Sequence, residues 1–256
     1  MIRSGLCSVT FRQLEPARVV ALTAAAGLEA IEWGGDVHVP AGDVARAAEV
    51  ARQTADAGLA VASYGSYFRA TEGEEIAPVL DAAEALGADR IRVWAGQVGS
   101  ADASDAQRRA TAERLRAAAS DAAARGIALA LEFHGGTLTD SAASTRHLLA
   151  AVDHPALTTY WQPRVDAEDD DALADYAALS DRVSAAHVFS WWPAGERLPL
   201  AARDALWRRF FTAASAAGHP PRDALIEFVP DDDPALLGRE AATLRSWIDA
   251  DSRLGA

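Results

Sequence analysis

The chain has 256 residues, of which 50% are hydrophobic, so one domain can bury a sizeable core. Its formal net charge of -13 excludes non-specific binding to nucleic acid and to anionic membrane surfaces. The sequence has no lysine and a single cysteine, Cys7, which excludes Schiff-base chemistry, a phosphate-binding lysine and an intrachain disulfide.

Short apolar runs typical of strands alternate with longer, alanine-rich segments of helical period. Eight strands are predicted, at residues 5–10, 30–33, 60–64, 90–94, 128–133, 158–161, 184–189 and 224–229. The intervening helices begin at caps or prolines and end at glycines such as Gly27, Gly58 and Gly87. This order predicts an α/β fold, a single (βα)8 TIM barrel that forms one domain over residues 1–256.

A doubly wound open sheet is the alternative fold. It would carry a glycine-rich phosphate turn after its first strand, whereas that strand here continues into Ser8-Val9-Thr10-Phe11-Arg12. The strands are near-continuous apolar runs, as expected for parallel strands covered by helices, which favours the closed barrel. No apolar segment approaches the roughly 20 residues of a membrane span, and no cleavable leader is evident, so a soluble cytoplasmic protein is expected.

Polar residues at strand ends form the first candidate site, because active sites of such barrels lie at the C-terminal ends of the strands. Glu132, His187 and Glu227 end the fifth, seventh and eighth strands, and Gln162 ends the sixth. Two carboxylates, an imidazole and an amide oxygen suit a divalent metal ion. The neutral amide should weaken the affinity for the ion and leave it more electrophilic. A buried polar network without an ion is the alternative.

Further residues near the strand ends are predicted to contact a substrate. The aromatic ones suit stacking on a sugar face, and the polar ones suit bonding to its oxygens. These candidates are Trp33, Tyr64, Trp94, Trp191, Trp192, Glu32, His38, His134 and Arg197. The alternatives are a buried ring at the rim, a loop histidine or an exposed arginine and, for Glu32, a buried partner of the ligand residues.

The layout resembles the xylose-isomerase-like TIM barrels, a superfamily of sugar isomerases and epimerases with an endonuclease branch. The resemblance rests on GLCSVTF, GLEAIEWGG, EFHGGT and LIEFV, and it spans essentially the whole chain. In that family, four strand ends carry Glu, Asp, His and Glu around a metal ion, and the two glutamates act as acid and base. The chain departs from this pattern at Gln162, in place of the Asp, and at Phe133, in place of an Asn before His134.

The resemblance implies a metal-dependent isomerase or epimerase that acts on a keto-sugar or cyclitol. It implies that Glu132, Gln162, His187 and Glu227 hold Mn²⁺, with Co²⁺, Zn²⁺ or Mg²⁺ as alternatives, and that Glu132 and Glu227 are catalytic. A lyase or C-glycoside-cleaving enzyme and a metal-free sugar-binding barrel are the other hypotheses. No organic cofactor is expected; the expected partners are a small carbohydrate and, through the surface helices, further copies of the chain. The endonuclease branch is disfavoured, since no basic groove is evident.

Overall fold

The computed structural model of the protein describes residues 2–191, 193, 195–216 and 221–252. Eight parallel strands form a closed barrel, namely β1 (Arg3–Cys7), β2 (Ala30–Gly34), β3 (Ala60–Gly65), β4 (Arg90–Val93), β5 (Ala128–Leu131), β6 (Leu157–Trp161), β7 (Val183–Val188) and β10 (Asp223–Ile226). Two short strands, β8 (Ser190–Trp191) and β9 (Arg197–Leu198), pair antiparallel beyond β7. The predicted (βα)8 TIM barrel is confirmed.

Helices alternate with the strands and cover the outside of the barrel. They are α1 (Pro16–Ala25), α2 (Val44–Asp56), α3 (Ala77–Leu86), α4 (Asp105–Ala124), α5 (Ala142–Val152), α6 (Asp169–Leu179), α7 (Asp204–Ala216) and α8 (Leu237–Ser252). Local signals set several of their ends: Ser104 and Gln107 form a capping box at α4, and Gly87 takes a left-handed conformation after α3. Within the described part of the chain, no helix has the length and apolar character needed to cross a membrane.

The first strand is shorter than predicted. β1 ends at Cys7, and residues Ser8–Phe11 form a 3-10 helix. Their side chains bond to the backbone at the ends of neighbouring strands: Ser8 Oγ accepts from the Gly34 N–H at 2.8 Å, and Thr10 Oγ1 accepts from the Phe228 N–H at 2.9 Å. These bonds replace a continuation of the strand ladder.

Alternation along the strands decides which residues face the barrel interior. One interior layer is made of hydrophobic residues, including Ala30, Ala130, Tyr160, Ala185 and Leu225. Side chains two positions apart on a strand share a face, so the next interior layer contains Glu32, Glu132, Gln162, His187 and Glu227. The register places Cys7 opposite Glu32, and it places Leu225 opposite His187, so Glu227, two positions after Leu225, follows at the same end of the barrel. Period and register together bring these polar groups to one end of the barrel.

The opposite, N-terminal end of the barrel is closed by a buried carboxylate with three arginine partners. Asp223 is fully buried and lies 2.6 Å from Arg3 Nε, 2.5 Å from Arg90 Nη2 and 3.2 Å from Arg222 Nε. Arg90 also donates to the Ser184 carbonyl at 2.8 Å. The buried charge is thus fully partnered, which indicates a stabilising role at this end of the barrel.

We expect Asp223→Asn to lower the free energy of unfolding by about 3–5 kcal/mol, because it leaves the buried Arg90 charge without its carboxylate partner. The matched control is Asp89→Asn, since Asp89 pairs with the same Arg222 at 2.8 Å but has an exposed side chain. The control should lose at most about 1 kcal/mol. Urea denaturation of both variants measures the difference, and equal losses would contradict the role given to Asp223.

Candidate functional site

An open cavity of about 540 Å³ lies at the C-terminal ends of the strands. Its polar surface includes Arg92, Glu132, Gln162 and Glu227, and its aromatic surface consists of Tyr67, Trp94, Phe133, Phe189, Trp191 and Phe228. A concave, partly apolar volume of this size with a few convergent polar groups is typical of a small-molecule site.

His187 lies at the centre of the polar cluster. Its ring is fully buried, and Nδ1 lies 2.9 Å from Gln162 Oε1 and 3.4 Å from Glu227 Oε2. One donor atom each from Glu132, His187 and Glu227 lies within 4.8 Å of the others. The structure therefore brings together all four residues that the sequence analysis placed around an ion.

The donor set fits a divalent metal ion. Ligand bonds of about 2.0–2.2 Å place neighbouring ligand atoms about 3.0–3.5 Å apart, close to the two separations measured from His187 Nδ1. When ionised, Glu32, Glu132 and Glu227 carry three negative charges, which the one guanidinium of Arg92 only partly offsets. A divalent ion would balance the remaining negative charge. Three oxygen ligands with one nitrogen ligand suit manganese, magnesium, cobalt or zinc.

Arg92 is a site residue that the sequence analysis missed. Its guanidinium is buried, pairs through Nη1 with Glu132 Oε2 and lies 3.1 Å through Nε from Glu32 Oε1. The missed signal is the run Arg90-Ile91-Arg92-Val93, which has two arginines at alternate positions in a buried strand. Residues at alternate positions share a face, so arginines in such a strand should point into the barrel towards carboxylates.

Burial and neighbouring charges shift the pKa values of the cluster. Burial raises the pKa of Glu227, against the opposing effects of His187 and Arg92. Burial alone would lower the pKa of His187, but the negative charges of Glu227 and Glu32 outweigh it and raise that pKa. A carboxyl group with a raised pKa is suited to proton transfer near neutral pH.

Cys7 lies beside the cluster, with Sγ 3.9 Å from Glu32 Oε1. Burial and the charge of Glu32 raise the pKa of this thiol well above its usual range. Since the thiolate is the form that binds metals, we do not count Cys7 among the ligands.

The backbone after Glu227 is strained in a way that positions this carboxylate. Phe228 has φ +63°, a left-handed conformation that residues other than glycine rarely adopt. It is held there by the hydrogen bond of its N–H to Thr10 and by the Arg197 guanidinium, which lies 3.9 Å from the ring centroid. Strain of this kind persists where the surrounding structure enforces it, often next to a functional group.

Three of the predicted substrate contacts line the cavity: Trp94, His134 and Trp191. Trp94 lies between other side chains, with its ring centroid 4.5 Å from that of His134 and 4.1 Å from the Arg69 guanidinium. Trp94 therefore supports His134. The Arg197 guanidinium lies 5.4 Å from the centroid of the Trp191 ring and pairs with Asp232, so Arg197 holds this ring in place.

Four other predicted contacts lie away from the cavity. Trp33 is fully buried and donates to Thr54 Oγ1 on α2 at 3.1 Å, since the residue after the inward-facing Glu32 must point outward. Tyr64 donates to the Val39 carbonyl at 2.8 Å, and His38 contacts Ser8 Oγ at 2.9 Å. Glu32 lies below the cavity, against Arg92. Their partners in the protein give these four residues structural or positioning roles.

The remaining candidate, Trp192, lies outside the described residues. Residues missed by the sequence analysis that line the cavity include Val9, Arg12, Tyr67, Phe189 and Phe228. Val9, Phe189 and Phe228 fall within predicted strands that end one to three residues earlier in the structure, and Arg12 and Tyr67 lie in loops, where strand periodicity gives no signal.

Residues 20–218 match the family of xylose isomerase-like TIM barrels, so the chain belongs to this family. A segment of 69 residues is 44% identical to a 3-dehydroshikimate dehydratase of Bacillus anthracis. That segment covers 27% of this chain and only 25% of the relative.

Solved structures share the fold over nearly the whole chain. A probable 3-DHS dehydratase of Bacillus anthracis has a TM-score of 0.78 at 21% identity, covering 96% of this chain and 99% of that one. A xylose isomerase-like barrel from Mycobacterium smegmatis in complex with magnesium has a TM-score of 0.76 at 16% identity, covering 98% of each chain. A 3-keto-D-glucoside 4-epimerase of E. coli has a TM-score of 0.74 at 17% identity, covering 96% and 100%. These likenesses show a shared fold among epimerases and dehydratases.

We expect Gln162→Glu to tighten Mn²⁺ binding by about tenfold or more, because it places a charged oxygen where the amide oxygen now lies. Gln162→Met, which is similar in size but has no oxygen donor, should weaken binding. Isothermal titration of Mn²⁺ into both variants and the wild type measures the two effects. If neither substitution changed the affinity, Gln162 would not be a ligand.

Proposed function

We propose that this protein is a divalent-metal-dependent enzyme that removes a proton from the carbon next to a carbonyl group in a small polyhydroxylated ketone. Its first candidate activity is isomerisation or epimerisation of a keto-sugar or cyclitol. The observation that carries the proposal is the convergence of Glu132, Gln162, His187 and Glu227 at one end of an open cavity.

The ion is proposed to be Mn²⁺, with Co²⁺, Zn²⁺ or Mg²⁺ as alternatives, held by these four residues. When bound, it would polarise the substrate carbonyl and so make the neighbouring C–H group more acidic. The magnesium complex of a structural neighbour supports a divalent ion in this family.

The two glutamates have different surroundings, which suggests different roles. Glu132 Oε2 is held by Arg92, whereas none of the described arginines lies within salt-bridge distance of Glu227. Glu227 lines the cavity, and burial raises its pKa. We therefore assign Glu227 as the base that takes the proton and Glu132 as a fixed ligand and second acid–base group.

The shape and chemistry of the cavity support a monocyclic or open-chain polyol as substrate. Trp191, Phe189 and Phe228 form a continuous aromatic wall, with centroid separations of 4.8 and 5.5 Å, against which the C–H face of a sugar can pack. His134 faces the same cavity from the side of β5 and supplies a hydrogen-bonding group for a substrate oxygen.

Dehydration is the second candidate activity, favoured by the 44% identical segment shared with a 3-dehydroshikimate dehydratase. In that reaction Glu227 would take the proton next to the carbonyl, the C–H electron pair would form a C=C bond, and the hydroxyl on the following carbon would leave as water. His134 or Glu132 would donate the proton to that hydroxyl. One base is sufficient for this reaction, in keeping with the unequal surroundings of the two glutamates.

We expect Glu227→Gln to lower turnover by about 10²–10⁴-fold, the usual contribution of a general base, while leaving the free energy of unfolding nearly unchanged. Glu113→Gln, on the exposed face of α4, is the control and should keep full activity. The assay incubates keto-sugars and carboxylated cyclitols with the Mn²⁺-loaded enzyme in D₂O. A deuterated isomer identifies the isomerase or epimerase, and an unsaturated, ultraviolet-absorbing product identifies the dehydratase. Full activity of Glu227→Gln would remove Glu227 from the role of base.

A further inference from the structure

Glu32 lies on β2 beneath the cavity, outside the set of residues that line it. Both of its oxygens have polar partners inside the barrel. Oε2 accepts from Ser63 Oγ at 2.6 Å, and Oε1 lies 3.1 Å from Arg92 Nε and 3.3 Å from His187 Nε2. One buried carboxylate therefore contacts both the imidazole and the guanidinium of the candidate site.

We infer that Glu32 is a positioning residue that fixes the orientation and the protonated nitrogen of His187 and, through Arg92, the carboxylate of Glu132. This inference rests on the proposed function, because it concerns the residues that would hold the ion. Of the two roles that the sequence allows for Glu32, it favours the partner of the ligands over the substrate contact.

The first group that Glu32 positions is the His187 ring. A neutral imidazole carries one proton, and the nitrogen that holds it is set by the hydrogen-bond acceptor it faces. Among the described residues, Nε2 makes no aligned hydrogen bond, and the carboxylate of Glu32 is its ion-pair partner. Nδ1 faces Gln162 Oε1 and Glu227 Oε2. We expect the charge of Glu32 to keep the proton on Nε2. Nδ1 then accepts a hydrogen bond, so in the ion-free protein the Gln162 amide turns its NH₂ group rather than Oε1 towards Nδ1.

The second group that Glu32 positions is the Glu132 carboxylate. The guanidinium of Arg92 is planar and rigid, and it contacts Glu32 through Nε and Glu132 through Nη1. Anchoring at Nε fixes the plane of the group, and this plane fixes where Nη1 can hold Glu132 Oε2. The orientation of Glu132 therefore depends on Glu32, although the two carboxylates are not in contact.

The neighbouring strand β3 leaves room for this arrangement. A Cβ atom on Gly65 would lie 2.9 Å from Arg92 Nη2 and 2.9 Å from Glu32 Oε1, closer than such atoms approach in proteins. The absence of a side chain at Gly65 is what allows the carboxylate and the guanidinium to meet there. Ser63, two positions earlier on β3, donates to the same carboxylate.

The test is Glu32→Gln, measured in two ways. In the ion-free protein at alkaline pH, long-range ¹H–¹⁵N NMR reports which nitrogen of His187 carries the proton, with the signals assigned by their loss in His187→Gln. We expect the proton on Nε2 in the wild type and on Nδ1 in Glu32→Gln, because Gln162 and Glu227 then offer the stronger acceptors. Titration with Co²⁺ should show an affinity lower by about 10–100-fold, as for other residues that orient metal ligands.

The matched control is Glu29→Gln, three positions earlier in the chain. Glu29 is exposed and accepts from the Ser4 N–H at 2.9 Å, at the other end of the barrel. This control should leave both the NMR signals and the Co²⁺ affinity unchanged.

Ser63→Ala keeps the inference testable if Glu32→Gln does not fold, because it removes only the hydroxyl bonded to Glu32 Oε2. It should lower the Co²⁺ affinity severalfold. Unchanged Co²⁺ affinity in Ser63→Ala and in folded Glu32→Gln, or a wild-type proton on Nδ1, would overturn the inference. The NMR measurement needs no ion. A wild type that binds none of Mn²⁺, Co²⁺, Zn²⁺ and Mg²⁺ would therefore refute the proposed function, while the position of the proton would still decide the role of Glu32.

Discussion

The pairing of buried charge inside the barrel is the constraint on which the rest of the structure depends. A closed parallel barrel excludes water from its interior, so each inward-facing carboxylate needs a cationic or hydrogen-bonding partner. Strand β4 supplies a guanidinium at each end: Arg90 pairs with Asp223 at the N-terminal end, and Arg92 pairs with Glu32 and Glu132 at the C-terminal end. The two-residue period of the strand sets the distance between these two layers of charge.

The two ends differ in how completely their charge is neutralised. Asp223 has three arginine partners, so this carboxylate is fully paired within the protein. At the other end, Arg92 serves two carboxylates, and Glu227 has an imidazole as its ion-pair partner beneath an open cavity. The incomplete pairing of its carboxylates suits this end to a divalent ion, whereas the full pairing of Asp223 at the opposite end stabilises the barrel.

Sequence periodicity was sufficient to predict the barrel, because strands buried on both faces and capped helices are local signals. It also located Glu132, Gln162, His187 and Glu227, since strand ends of a closed barrel meet around its axis. It failed for Trp33, which follows the inward-facing Glu32 and therefore points towards α2. It also missed Arg92, whose partners lie 60 and 40 positions away in the chain, and the loop residues around the cavity, whose placement depends on tertiary contacts.

The central claim is that four strand-end residues hold one divalent ion per chain. Its most direct test is elemental analysis of protein purified without chelator, followed by calorimetric titration of the stripped protein with Mn²⁺. We expect about one ion per chain, with binding that stabilises the wild type against heat and is lost in His187→Gln. Failure to bind any of Mn²⁺, Co²⁺, Zn²⁺ and Mg²⁺ would contradict the claim that the four residues hold an ion. Equal binding by the wild type and His187→Gln would contradict it as well.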